Sequence, residues 1–216
     1  MHIHTSAHPL TWKSALKNKS FRKDLFLSIV FLGAVLFGFI FVLEFVENRS
    51  GFSIEKDWLN KIIAPRDFSS WIFTCTYGAI IPGIVFCFLK PDTAILLIRT
   101  YLILQFLRAI TLLLVPLNPP EGIIPLQDPF LHATFYDGRQ NLKDLFFSGH
   151  VATLVMFVLV VPQKWVKWLL IIAAIAAGVL LIGQRVHYVV DVIAAPVFAV
   201  AAFKLAKRWS KNYFPR

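Results

Sequence analysis

Cysteine is nearly absent from this chain: Cys75 and Cys87 are the only two in 216 residues. Both fall in one apolar stretch, about 18 Å apart along a helix at 1.5 Å per residue, too far to bridge each other. A disulfide framework and a cysteine zinc ribbon are therefore excluded, and neither cysteine points to redox chemistry. Charge is also scarce, at 16% of residues, and acidic side chains are few enough that the formal net charge is +10. No stretch is low in complexity. No internal repeat is evident, which argues against a transporter built from duplicated halves. The first apolar block, near Leu25, is long and has no small-residue cleavage site after it, so it reads as a retained span rather than a removed signal peptide.

Apolar sequence is abundant instead. The chain is 57% hydrophobic with a mean hydropathy of +0.68, above the range of soluble proteins. The apolar residues come in blocks that approach the ~20 residues needed to cross the hydrocarbon core. They predict six spans, at 25–46, 70–89, 93–115, 146–161, 165–182 and 188–205. The fold class expected is an all-α integral membrane protein, a six-transmembrane-helix bundle. A basic leader at 1–23, with a short interfacial helix, would precede a transmembrane catalytic domain at 24–206 and a basic tail at 207–216.

The basic residues sit mostly at span ends, which favours a role in topology and contact with anionic lipid over nucleic-acid binding. Of the 22 Lys and Arg, thirteen fall on the leader's side, seven on the other, and Arg99 and Arg108 lie within a span. By the positive-inside rule both termini are expected to be cytoplasmic, and the two long connections, 47–67 and 116–143, to face outward. Gly33, Gly38, Gly78, Gly83, Ala173, Ala174, Ala177 and Gly178 are expected to mark close helix contacts. Pro82 and Pro196 are expected to kink their helices.

Two stretches could carry chemistry. In Arg185-Val-His-Tyr-Val-Val-Asp191, a helical reading puts His187 and Asp191 on one face, one turn apart. A carboxylate there would hold the imidazole in one tautomer and stabilise its positive or phosphorylated form. The bland alternative is an ion pair that neutralises two buried polar groups. In Asp144-Leu-Phe-Phe-Ser-Gly-His150, Ser148 and Gly149 precede or open a helix, so free backbone N–H groups would face an anion. Gly149 removes a side chain that would block a phosphate, and His150 is positioned to donate a proton to a leaving oxygen. The bland alternative there is a serine cap followed by an interfacial histidine.

Arg108, deep in its span, needs an anionic partner, either Asp191 or a substrate phosphate. Arg99, nearer the other end, reads as a structural pair or a snorkelling side chain. Loop 116–143 carries Asp128, His132, Asp137 and Arg139 and reads as an ordered lid. His132 matches no metal-binding spacing with His150, His187 and Asp191, so neither a metal nor another cofactor is expected.

With these motifs the chain resembles the lipid phosphatase and phosphotransferase superfamily of type 2 phosphatidic acid phosphatases, and more narrowly its sphingomyelin synthase-like branch. That branch carries Asp-x-x-Phe-Ser-Gly-His, matched by Asp144, Phe147, Ser148, Gly149 and His150. It also carries His-Tyr-x-x-Asp-Val, matched by His187, Tyr188, Asp191 and Val192. A softer Arg-x-x-Thr stretch is similar to Arg108 and Thr111, with Pro116 and Pro119 beyond. The resemblance covers about 98–195. It implies a His-His-Asp triad in which His187 is the nucleophile, Asp191 its orienter and His150 the acid, working through a phosphohistidine intermediate. Phosphate binding would fall to Arg108, Ser148, Gly149, Asp144 and Arg185.

Two departures from the superfamily pattern stand out. Its ordinary phosphatases carry an arginine six residues before the nucleophile, where this chain has Leu181, and Arg185 is not equivalent. Their Lys-x6-Arg-Pro segment is also missing. Both gaps favour the synthase-like branch. The expected activity is lipid phosphatase or phospho-headgroup transfer at the outer membrane face. A phospholipid or sphingolipid would be the substrate, and water or a lipid hydroxyl such as diacylglycerol or ceramide the acceptor. The expected setting is a bacterial inner membrane with the site facing the periplasm or exterior. A non-catalytic phospholipid-binding protein or transporter using the same ionisable residues is the alternative.

Overall fold

The structure, a computed structural model, describes residues 11–54, 57, 62–126 and 141–210. Among these, regular structure is helical: α1 (Trp12–Lys17), α2 (Lys19–Asn48), α3 (Ser69–Phe88), α4 (Pro91–Leu114), α5 (Gly149–Val160), α6 (Lys164–Gly183) and α7 (Val189–Trp209). One isolated parallel bridge, Phe52 to Leu117, joins two loops. The protein is an all-α membrane protein, and among its described residues five helices are long and apolar enough to span.

Helix starts follow their caps. Thr11 and Ser14 form a reciprocal capping box at α1, and the Asn18 side chain accepts from Ser20 and Phe21 N–H at α2. The short leader helix expected from the sequence is α1. The first span begins at Lys19, six residues before the apolar block, because Asn18 caps it there.

α5 is the central helix and packs against α3, α4, α6 and α7, while α2 lies outside and packs on α4. Burial on α2 is confined to Phe21, Ser28, Phe39, Leu43 and Val46, a stripe at helical spacing. Phe26, Ile29, Phe31, Phe37, Phe41 and Phe45 are exposed, as expected of a face toward lipid. The small residues divide accordingly. A Cβ at Gly178 would meet Val192 at 2.9 Å and one at Gly83 would meet Phe157 at 2.9 Å, whereas Gly33, Gly38 and Gly78 have nothing within 4 Å. The last three are not close-contact positions; α2, which carries Gly33 and Gly38, meets α4 through Phe39 and Leu43 and needs no small residue there. Pro82 and Pro196 lie within continuous helices.

The fourth predicted span differs most. Hydropathy places it from Phe146 to Val161, but α5 starts at Gly149 and its 12 residues rise only about 18 Å. Asn141–Ser148 leads into it without helix. Irregular backbone at such depth needs partners inside the protein, and they are present. Phe147 O accepts from Arg108 Nε at 3.2 Å, Phe146 O from the Thr111 hydroxyl at 3.1 Å, and Ser148 N–H donates to Asp191 O at 3.1 Å. The Glu47 carboxylate accepts from Leu142 and Lys143 N–H, both at 3.0 Å.

At the opposite end of the bundle, fully buried Arg99 joins α2, α4 and α7. It donates to Ser28 Oγ and Asp24 Oδ2, each at 3.0 Å, and to Trp209 O and Ser210 Oγ, each at 3.2 Å, with its guanidinium 4.3 Å from the Trp209 ring. Arg99 is thus a structural clamp, and it puts the N-terminal end of α2 and the C-terminal end of α7 together.

Candidate active site

The two histidine segments lie where α5 and α7 begin, at the end of the bundle away from Arg99. α7 starts only at Val189, so His187 precedes the helix instead of sharing a face with Asp191. Their contact comes from the cap: Asp191, in the first turn, reaches back, and its Oδ2 accepts Tyr188 N–H at 3.0 Å and lies 3.4 Å from His187 Nδ1. Both side chains are buried. A proton on Nδ1 facing the carboxylate makes Nε2 the ring nitrogen that carries the lone pair.

A cavity of about 490 Å³ opens at this end, between α2, α3, α4 and α5. Its polar end is lined by Arg108, Asn141, Asp144, Gly149, His150 and His187. The structure thus brings five of the residues singled out from sequence to one cavity wall, with Asp191 behind His187. Arg108 Nη2 lies 2.5 Å from Asp144 Oδ1, and the guanidinium sits 5.5 Å from the Phe39 ring. Asp144, not Asp191, is therefore its carboxylate partner. A Cβ added at Gly149 would meet Arg108 Nη1 at 2.5 Å and Cζ at 2.6 Å. A guanidinium held against the positive end of a helix dipole is unfavourable unless an anion compensates both. Asp144 supplies that charge here, and a phosphate in the cavity would meet the same cationic wall.

Two expectations change. Ser148 N–H is not free for an anion, because it bonds Asp191 O, and the Ser148 hydroxyl is buried without a hydrogen-bond partner among the described residues. The N–H groups left for an anion are those of the first turn, Gly149 to Val151. Arg185 lies outside the cavity lining: its guanidinium donates to Glu121 O at 2.7 Å and Ile63 O at 3.2 Å, its backbone has φ 59°, and Gly122, at φ 71°, makes room for it. It ties loops together because loop carbonyls, not the cavity, are within its reach. His132 and the rest of 127–140 lie outside the described residues. Among those described, no three His, Cys, Asp or Glu side chains form a metal-binding group.

Residues 143–208 match the family model described as PAP2 superfamily C-terminal. The match supports the type 2 phosphatidic acid phosphatase superfamily, and with it a lipid phosphatase-type function on a membrane lipid. It contains Asp144, Ser148, Gly149, His150, His187 and Asp191 and leaves out Arg108. No curated protein and no solved structure gives a significant match.

Of the supporting residues, Asp57 and Gln184 carry no sequence signal, and Tyr188 carries one only as part of the His-Tyr-x-x-Asp-Val match. Asp57 Oδ2, from the first long loop, accepts Val189 N–H at 2.9 Å and so caps α7 beside His187. The Tyr188 hydroxyl donates to Asn118 O at 3.0 Å and accepts from Ile54 N–H at 3.4 Å. Gln184 accepts from Phe68 N–H at 2.8 Å and donates to Ser69 Oγ at 3.0 Å and Ile124 O at 3.2 Å. Asp57, Tyr188 and Gln184 join segments far apart in sequence, and only folding brings their partners near.

Proposed function

We propose that this protein transfers the phosphate or phospho-headgroup of a membrane lipid through a phosphohistidine formed on His187. The observation that carries the reading is that His187 and His150 line one cavity beside Arg108, with the His187 Nδ1 edge turned to Asp191. His187 Nε2 attacks phosphorus, and the bond from phosphorus to the leaving oxygen breaks. His150 gives its proton to that alkoxide. Water or a lipid hydroxyl then attacks the phosphohistidine, His150 takes up the incoming proton, and His187 is restored. Arg108 and the first-turn N–H groups of α5 hold the phosphoryl oxygens, which gain charge in the transition state. Asp191 orients His187 and stabilises its cationic form.

The departures at Leu181 and in the missing Lys-x6-Arg-Pro segment favour the sphingomyelin synthase-like branch, with a lipid hydroxyl such as that of diacylglycerol or ceramide as the acceptor class. The charge bias of the loops favours a site on the outer membrane face, as in a bacterial inner membrane open to the periplasm. The test is turnover of phosphatidate by full-length protein in lipid nanodiscs, with and without diacylglycerol. Wild type should release phosphate or transfer it and accumulate acid-labile, alkali-stable phosphoprotein, and His187→Ala should do neither while remaining folded. Full turnover by His187→Ala would overturn the mechanism. Binding or transport of lipid with no chemical change in wild type would instead favour the non-catalytic alternative.

A further inference from the structure

Below its polar end the cavity is apolar for most of its length, reaching Ile84 and Phe88 of α3 and Leu97 of α4. Leu97 is eleven residues from Arg108 on α4, about 16 Å along the helix axis. A wall of that length suits a hydrocarbon chain, but it is interrupted by polar side chains. Gln105 lies one turn deeper than Arg108, about 4.5 Å along the axis, and is buried, as is Thr76 on α3. Both line the cavity.

Their hydrogen bonding is incomplete. Gln105 Nε2 donates to the Tyr101 hydroxyl at 2.9 Å, and among the described residues the Gln105 carbonyl oxygen has no partner. The Thr76 hydroxyl is buried with no partner there either. A buried polar group left unpaired, as the Thr76 hydroxyl is, costs free energy, so a cavity meant only for a hydrocarbon chain gains nothing from it. A ligand that carries a hydrogen-bonding group one helical turn beyond its phosphate would satisfy both groups.

Resting on the lipid-phosphate reading above, we infer that Gln105 and Thr76 form a second recognition point, which reads the hydrogen-bonding linkage between the lipid's phosphate-bearing backbone and its chains. An ester, an amide or a neighbouring hydroxyl offers that chemistry, and an ether linkage lacks most of it. Gln105 and Thr76 are then specificity-determining residues: they select the lipid backbone, while Arg108 and the start of α5 select the phosphate. A site that pairs its polar groups only with the right ligand discriminates strongly against analogues lacking those groups.

The test uses full-length protein in nanodiscs with three probes of matched chain length: diester phosphatidate, diether phosphatidate and ceramide 1-phosphate. Wild type should turn over the diester, the ceramide lipid or both at least about tenfold faster than the diether, as kcat/KM. Whichever of the two exceeds the diether identifies the linkage. In Gln105→Leu, and in the near-isosteric Thr76→Val should the first fail to fold, that ratio should fall toward one. Equal rates on all three probes in wild type, or an unchanged ratio in a folded variant, would overturn the inference. If wild type turns over none of them, the lipid-phosphate reading fails. The same three lipids are then compared for binding by native mass spectrometry, where absence of a diester or ceramide preference that Gln105→Leu removes would overturn the inference as well.

Discussion

Gly149 lies against Arg108 so closely that a methyl group at its Cα would stand 2.5 Å from the guanidinium Nη1. The arginine cannot give way freely, because Phe147 O and the Asp144 carboxylate both hold it. Gly149→Ala is therefore expected to displace the guanidinium from the start of α5. Activity should fall about 100-fold, the order found when a transition-state donor is lost, and the thermal midpoint should fall too, because the buried Arg108–Asp144 pair is disturbed. Steady-state rates and a melting curve on the same preparation check this, and near-wild-type turnover would show that Arg108 is not needed where it stands.

Asp191 touches His187 through one carboxylate oxygen and caps Tyr188 N–H with the same atom. In Asp191→Asn the amide oxygen can still cap the helix, but the negative charge is gone. The expected result is a drop in kcat of about 10²–10⁴ with little change in KM. A matching loss in KM would mean that Asp191 acts on substrate binding and not on the imidazole.

Asp57 supports the site from outside it. Removing its carboxylate in Asp57→Ala leaves Val189 N–H without its cap, which costs about 1 kcal/mol in typical helices. Stability to denaturant should fall by about that amount, and kcat should fall more than KM rises, because α7 begins beside His187. An unchanged unfolding midpoint would show that the cap is dispensable.

Asp24 pairs with fully buried Arg99, but its own side chain is 34% exposed. Asp24→Asn is expected to destabilise the bundle by about 2 kcal/mol. That lies below the ~3–5 typical of breaking a fully buried pair, because solvent already screens the aspartate. Specific activity per folded molecule should be unchanged, since the pair lies at the opposite end of the bundle from His150 and His187. A specific loss of kcat would refute that separation.

Asp67 gives a pH signature at the start of α3. Its carboxylate accepts Ser69 N–H at 2.9 Å, and bonds from the Ser69 backbone and side chain hold its pKa below the usual 3.8. A depressed folded value means that the stabilisation is complete above 3.8 and is lost as pH falls through the folded value. Asp67→Asn should flatten the difference in unfolding midpoint between pH 5 and pH 3 relative to wild type. Equal slopes would show that the cap contributes nothing.

Much of the architecture was readable because burial in lipid writes itself into composition. The apolar blocks located five long helices to within a few residues, since a backbone in hydrocarbon has few alternatives to helix. Phe146 shows where that reasoning stops. Its apolar run continues a span by hydropathy, but Arg108, Thr111 and Asp191 supply partners that let the backbone stay irregular as far as Ser148. Hydropathy cannot register partners that arrive from other helices.

The site divides in the same way. The types and spacing of His150, His187, Asp191 and Arg108 were enough to mark them, because ionisable groups in a span are costly and need a reason. Arg185 looked equally cationic, yet its left-handed backbone turns the side chain to Glu121 and Ile63. Asp57, Gln105 and Thr76 are ordinary in sequence and gain meaning only from what faces them. By itself the sequence determined that this chain is a helical membrane protein with two histidine stretches, because solvent preference and local spacing are properties of the chain. Only the tertiary structure decided which cation stands at the start of α5, which atom holds His187 and how deep the cavity runs, because each depends on contacts between segments far apart along it.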